Sequence, residues 1–474
     1  MSMRHAPLEV KAMFDLERIA RIVGGEFCGR KVNCELTGVS TDSRNMVPGA
    51  LFIPLRGGRF DGHDYLSQAV KNGAAACLSE EVVEGLNVPV VRVADTLRAL
   101  GDIAAAYRFQ LQGPLIAITG SAGKTTTKEM LAGILTRVAT GLKTFGNFNN
   151  LIGLPLTLLR IEKSHQWAVI EMGTSALGEI ERLTEIAQPT IGVITNVGEA
   201  HLETLHGLDG VSRAKGELYA GLKGGTAIIN LDDERVARLP VANGVKKRTY
   251  GLSAHADVRG ENIVVEPDGV RFELLSAEQR RAVRLPVPGL HNVHNALAAA
   301  AVALELDVSL ADVVGGLEDF VPVQGRMNLF PLASGGMLLD DSYNSNPLSA
   351  RSALDALNEL KGQGRKIAIL GDMLELGEDA QVLHQALGER VAQVADVLIA
   401  VGRHGDQLES GALKGGMRKE QIFKVAHVGE AIELMKNCHR TGDRLLVKGS
   451  RGVQLERLVQ ELKSAVPDSA QRKG

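Results

Sequence analysis

The sequence predicts an α/β protein of three domains built on mostly parallel sheets. Three observations carry this. Short apolar runs alternate with helix-period stretches along nearly the whole chain. One run, Leu115 to Ile118, leads into Thr119-Gly-Ser-Ala-Gly-Lys-Thr-Thr-Thr127 and then a helical pattern, the layout of a phosphate-binding loop. The length, 474 residues of which 45% are hydrophobic and 23% charged, suffices for about three cores. The chain divides into a small N-terminal α/β domain over 1–93, a central domain with a mostly parallel sheet over 94–327, and a C-terminal Rossmann-like domain over 328–474.

Composition excludes several classes. Net charge is -3, so no one-signed surface argues for nucleic acid or an anionic membrane. Aromatics are only 4%, too few for base-stacking platforms. The four cysteines, Cys28, Cys34, Cys77 and Cys438, form no C-x-x-C pair and read as reduced apolar residues. Arg4, Lys11, Asp15, Glu17 and Arg18 interrupt any signal-peptide core, and no apolar run reaches about 18 residues. A cytoplasmic protein without a membrane span is expected.

In the first domain, Phe14 to Ile22 has helical spacing and Gly24-Gly25 stop it. A short strand precedes the polar run Gly38 to Arg44. Ala50 to Leu55 is a strand, Arg56 to His63 a loop, Tyr65 to Gly73 a helix and Ala74 to Leu78 a strand. Polar loops at strand ends are where open α/β sheets bind ligands.

The second domain opens with Asp95 as N-cap of a helix to Tyr107. Strands follow at Leu115–Ile118, Trp167–Ile170, Ile191–Ile194 and Thr226–Ile229. Pro267-Asp-Gly signals a hairpin between Val264 and Phe272, so this sheet should end in antiparallel strands. Val293 to Leu304 is an Ala-rich helix, and the boundary falls near Arg326-Met327. Strands of the third domain are expected at Met337–Leu339, Lys366–Leu370, Val397–Val401, Ile422–Val425 and Leu445–Val447. Asn346-Pro347 starts a helix. Gly371-Asp372 follows a strand, but G-x-G-x-x-G is absent, so a dinucleotide site is unsupported. The polar tail after Pro467 reads as frayed.

The phosphate loop comprises Gly120, Ser121, Ala122, Gly123, Lys124, Thr125 and Thr126. Its two glycines let backbone N–H groups crowd a polyphosphate, and the helix start adds partial positive charge. Lys124 would reach the outer phosphates and Thr125 would ligate Mg²⁺. Ile118 stands where the longer G-x-x-x-x-G-K-[ST] loop has its first glycine, leaving T-G-x-x-G-K-T. Glu171 ends the strand from Trp167 and reads as a Mg²⁺ ligand. His201, on the segment leaving another strand, suits metal, phosphate or a structural role. Lys215 reads by default as a solvated surface lysine; it could hold a metal only if its amine were carboxylated, because an ammonium has only donors. Asn230 to Asp233 and His291 to Asn295 could cap helices or touch a nucleotide. Asp340 to Pro347 packs more polar residues than a helix cap needs. Arg326, at the domain boundary, could clamp a γ-phosphate. Lys448 and Arg451 offer two cations for a carboxylate-bearing substrate, or form a solvated strand end. The residues together imply a three-domain enzyme that uses a nucleoside triphosphate with Mg²⁺ on a polar, anionic second substrate.

Over essentially its whole length the chain resembles the Mur ligases of bacterial peptidoglycan synthesis. The short phosphate loop, Asn147-Phe-Asn-Asn-Leu-Ile-Gly-Leu-Pro155, Glu171, Ala200-His-Leu-Glu203, Ala214-Lys-Gly-Glu217 and the run from His291 carry the resemblance. Asp341-Ser-Tyr-Asn-Ser-Asn-Pro347, Leu370-Gly-Asp-Met-Leu-Glu-Leu-Gly377 and Val447-Lys-Gly-Ser-Arg451 point to the branch that joins D-alanyl-D-alanine to UDP-N-acetylmuramoyl-tripeptide. Thr41-Asp-Ser-Arg44 and Asp61-Gly-His63 are shared with a sister ligase whose D-N-P-R motif is absent here. The resemblance implies an ATP- and Mg²⁺-dependent amide ligase working through an acyl phosphate. It implies Thr125 and Glu171 on one Mg²⁺, with His201 and a carboxylated Lys215 on another. Asn196, Asn292, Arg326 and Asp341 would contact ATP. Ser43 and Arg44, with the Gly57–His63 loop, would hold the UDP end. Asn149, Asn150, Tyr343, Asn344, Asn346, Lys448 and Arg451 would face the substrates. A monomer is expected. The alternatives are another ligase of this superfamily, such as a folylpolyglutamate-forming one, or a nucleotide-regulated binding protein. One departure is Gly173-Thr-Ser-Ala-Leu-Gly-Glu-Ile180, where relatives often carry Asn and His after the Gly-Ala pair.

Overall fold

A computed structural model describes residues 15–28, 31–58, 60–266 and 268–464. Phe14, Arg59, Pro267 and the tail after Pro467, all used in the sequence reading, lie outside the described residues. Three main sheets carry the chain. The first runs Glu26–Cys28, Val90–Arg92, Ala76–Ser79, Leu51–Phe52, Val39–Ser40, and only its outer pair, Glu26–Cys28 with Val90–Arg92, is antiparallel. The Leu51–Phe52 strand stops short of the expected Leu55; Pro54 has no N–H to give a ladder.

The second sheet has nine strands. Its parallel part runs Val258–Glu266, Lys246–Gly251, Thr226–Asn230, Ile191–Ile194, Leu115–Thr119, Trp167–Glu171, Gly141–Lys143. Gly269–Ser276 and Gln279–Leu285 complete it as antiparallel strands, as the hairpin signal predicts. The strands at 115, 167, 191 and 226 are buried at every residue. Helices cover both their faces, which is why they read as unbroken apolar runs and not as alternation.

The third sheet runs Asn328–Pro331, Met337–Asp341, Arg444–Lys448, Lys366–Gly371, Val397–Val401, Ile422–Val425. The short Asn328–Pro331 strand, which the sequence reading lacks, pairs antiparallel across a tight turn; the other pairs are parallel. Asn346 starts the helix Pro347–Glu359 with a full capping box, its side chain accepting from Ser349 N. Asp95 caps Thr96–Tyr107 in the same sense.

Strand order sets where ligands can go. Leu115–Thr119 lies between Trp167–Glu171 and Ile191–Ile194, and the chain's direction across the sheet reverses there. Loops leaving the carboxyl ends of these strands diverge and open a crevice. The third sheet turns the loops after Asp341, Gly371 and Lys448 toward that crevice, tied together by Leu374 N and Ser345 O, both bonded to the Ser450 hydroxyl. The four cysteines are free. Among the described residues no helix is long and apolar enough to cross a membrane.

Candidate active site

The phosphate loop is fixed by close approach. Gly123 has φ +82 and Gly120 φ +150, and an added Cβ would stand 2.2 Å from Asn295 Oδ1 and 1.9 Å from Thr195 Oγ1 respectively. Only glycine satisfies both the backbone and the space. Asn196 braces the loop: its Oδ1 accepts from Ala122 N at 2.8 Å, its Nδ2 donates to Ala122 O at 3.1 Å, and its carbonyl accepts from Ser121 N at 3.1 Å. Thr195 Oγ1 donates to Ala122 O at 2.6 Å, a contact the sequence gives no signal for. Lys124 Nζ folds back onto Gly120 O at 2.6 Å. Burial pushes its pKa down, against the pull of Glu171, with Arg326 adding to the downward push.

Glu171 is buried at the foot of this loop. Thr125 Oγ1 lies 3.0 Å from its Oε2, Asn149 Nδ2 donates to its Oε1 at 2.8 Å, and Lys128 Nζ stands 3.6 Å from Oε2. Lys128, only 1% exposed, belongs to the site through Glu171, and as one more lysine near a helix start it carries no sequence signal of that role. Asn150 turns its Oδ1 to Ile152 N and Gly153 N, anchoring the next helix.

Lys215 corrects its default reading as a surface lysine: the helix Leu208–Ala220 carries it inward and leaves it 2% exposed. Among the described residues nothing pairs with its ammonium. Burial pushes its pKa well down and the nearby Lys124 charge adds to the shift. His201 sits in the left-handed region at φ 53. Its Nδ1 is closed off from solvent, with no aligned hydrogen-bond partner, and stands 2.5 Å from Glu375 Oε2 of the third sheet's loop.

These groups face one cavity of about 520 Å³, whose lining includes Gly120, Ser121, Lys124, Thr125, Asn149, Asn150, Glu171, His201, Lys215, Arg326, Tyr343, Asn344, Asn346 and Arg451. Tyr343 lies between two guanidiniums, Arg326 at 4.2 Å and Arg451 at 5.5 Å from the ring centre. Asn346 Nδ2 donates to Ser121 O at 3.1 Å, joining the third unit to the phosphate loop. Lys448 is neither a solvated strand end nor part of the lining: it is buried, bonded to Asp341 Oδ2 at 2.5 Å and Asn344 O at 2.9 Å. Asn292 is buried and donates to Pro288 O at 2.7 Å. Asn230 donates to Thr195 O and Asp233 caps Glu234–Ala237, so both brace the crevice.

The departing segment after Gly173 is well anchored. The Glu179 carboxylate accepts from Ser175 N and Ala176 N, and Glu217 accepts from Gly178 N and Glu181 N. Ser43 and Arg44 lie in the turn that follows the Val39–Ser40 strand of the first sheet, outside this lining; Arg44 forms a two-pronged pair with Asp42 at 2.9 Å. A second cavity of about 970 Å³ shares Leu374 and Glu375 as its wall with the first.

Thr125 Oγ1 and Glu171 Oε2 are hard oxygens held together, a donor set that suits Mg²⁺. An orphaned buried amine with a lowered pKa is the form that adds CO₂, so Lys215 fits a carboxylated ligand as well.

Three family descriptions match the chain in order: Mur ligase family, catalytic domain, over 35–108; Mur ligase middle domain over 118–303; and Mur ligase, glutamate ligase domain, over 325–451. A Bacillus subtilis protein named UDP-N-acetylmuramoyl-tripeptide–D-alanyl-D-alanine ligase is 36% identical, covering 94% of this chain and 98% of its own. The Escherichia coli protein of the same name gives the same identity and coverage. Among solved structures, MurF from Acinetobacter baumannii superposes with TM-score 0.88 at 35% identity, covering 94% of this chain and 98% of that one. MurF ligase from Thermotoga maritima in complex with ADP gives 0.80 at 28%, covering 90% and 97%.

Proposed function

We infer the reaction from one premise: the chain belongs to the Mur ligase family. It is an ATP-dependent ligase that joins D-alanyl-D-alanine to UDP-N-acetylmuramoyl-tripeptide, forming ADP and phosphate. The observation that carries this is the convergence, in one cavity, of a phosphate loop, a paired hydroxyl and carboxylate, and the guanidiniums of Arg326 and Arg451.

The tripeptide carboxylate attacks the γ-phosphorus of ATP, ADP leaves, and an acyl phosphate forms. The dipeptide amine then adds to the acyl carbon, and the tetrahedral species expels phosphate to leave the amide. We assign the loop amides and Lys124 to the transferring phosphoryl group, where fixed donors act on charge as it develops. Lys124 must leave Gly120 O to do so. Thr125 and Glu171 would hold one Mg²⁺, and His201 with carboxylated Lys215 a second. Mg²⁺ there would screen the repulsion between a carboxylate and a polyphosphate. Asn196 and Asn292 support ATP by bracing the loop and the helix start beside it, and Arg326 faces the phosphates. Arg451, Tyr343 and Asn346 meet the peptide side. Lys448 holds Asp341 and the Asn344 turn in place.

We assign the UDP end to Ser43, Arg44 and the Gly57–His63 loop of the unit over 1–93, ATP to 94–327 and the incoming dipeptide to 328–474. We propose that the enzyme acts as a monomer, and in the cytoplasm, where ATP and UDP-linked substrates are found. The test is phosphate release from ATP and Mg²⁺ with each substrate omitted in turn. Release should require both the UDP-tripeptide and the dipeptide. Release indifferent to the dipeptide would sink the assignment.

A further inference from the structure

We propose that Glu375 is a positioning residue for His201, so that the C-terminal unit completes the metal site of the central one. The proposal rests on the assignment of His201 to Mg²⁺ given above. An imidazole has two nitrogens, and a metal takes one; the group on the other fixes tautomer and ring orientation. In this chain Nδ1 of His201 is shut off from solvent with no aligned hydrogen bond, and the group against it is the Glu375 carboxylate at 2.5 Å, close enough to accept once the ring turns into line. A carboxylate accepting the Nδ1 proton leaves Nε2 with a free lone pair for the metal.

The contact is built rather than incidental. His201 at φ 53 and Glu375 at φ 64 both sit in the left-handed region, which non-glycine residues rarely occupy. Glu203 N donates to Glu375 O at 3.3 Å, and Gly377, at φ +59, lets the loop lie against Glu203. The loop is held from its own unit as well. Met373 N donates to His384 Nε2 at 2.9 Å, Leu374 N to Ser450 Oγ at 3.0 Å, and Arg403 N and His404 N to Asp372. Asp372, His384 and His404 put ligand atoms within 4.8 Å of one another, but these bonds occupy the carboxylate and His384, and the cluster serves as the loop's anchor.

The consequence is linkage. With the C-terminal unit turned away, His201 loses its Nδ1 acceptor and the second ion binds more weakly; an ion bound there favours the joined arrangement by the same factor.

The test is Mn²⁺ titration of the full chain with ADP, read by electron paramagnetic resonance, on wild type, Glu375→Gln and His201→Ala. Wild type should bind two ions and His201→Ala one. Glu375→Gln, which keeps the side chain's size, should bind both, the second roughly 10–100-fold more weakly, with an unchanged melting temperature. Wild-type affinity for both ions in Glu375→Gln overturns the proposal alone. A wild type that binds one ion, or a His201→Ala that keeps two, removes His201 from the metal site and the proposal with it.

Discussion

At Lys124 the resting contact with Gly120 O shows a side chain already aimed along the loop. Lys124→Ala should lower turnover by about 10³-fold, at the upper end for loss of one preorganised donor, with unchanged thermal unfolding; near-normal turnover would remove it from the mechanism. Lys215 poses a different question, since its chemistry depends on what its amine carries. With ¹³C-bicarbonate, the wild type should show a protein-bound carbamate resonance that Lys215→Ala lacks; identical spectra would contradict carboxylation. These two lysines also mark how much the residues reveal unaided. Lys124, Thr125 and Glu171 were legible because loop spacing and a strand-end carboxylate have a chemical reason. Lys215 was not, because one lysine on a polar-looking helix gives no sign of which face turns inward. Lys448 misled for the opposite reason: its charge is spent on Asp341 inside the fold.

Among elements, the loop from Gly120 to Gly123 is the most sharply constrained. Gly123→Ala adds a Cβ 2.2 Å from Asn295 Oδ1 at φ +82. Calorimetric titration should show ADP affinity lost, while the distant sheets still unfold cooperatively. The helix Leu290–Glu305 carries a second prediction. Burial lowers His291 from 6.5 to about 4, with Lys448 and His294 pushing the same way and Asp341 opposing. The folded value lies below the unfolded one, so the unfolded chain takes up the extra proton between them. Stability should therefore be intact above about pH 6.5 and fall as pH drops toward 4, by at most about 3 kcal/mol from this group. Urea unfolding at pH 7 and pH 5 reads it, and His291→Asn should flatten the difference. The elements themselves were largely legible, since buried parallel strands are unbroken apolar runs and caps such as Asp95 and Asn346 announce helix starts. Asn328–Pro331 was not, because four residues ending in proline carry no strand periodicity.

For the whole molecule, the seating of the third sheet on the second was the least legible feature. It rests on a few contacts between distant segments: Asn346 on Ser121, Arg351 on Glu199 at 2.8 Å, Leu348 against Gly198, and Glu375 on His201. None leaves a local pattern in the sequence. Yet these contacts bring the phosphate loop, the metal donors and the Tyr343–Arg451 side into one cavity, and the claim of a single ligase reaction depends on that. Isotope transfer tests it directly. UDP-tripeptide labelled with ¹⁸O in both oxygens of the accepting carboxylate is turned over with ATP, Mg²⁺ and D-alanyl-D-alanine. An acyl phosphate route leaves one ¹⁸O in the new amide and delivers the other to the released phosphate. Phosphate free of ¹⁸O, formed alongside the amide product, would contradict the account.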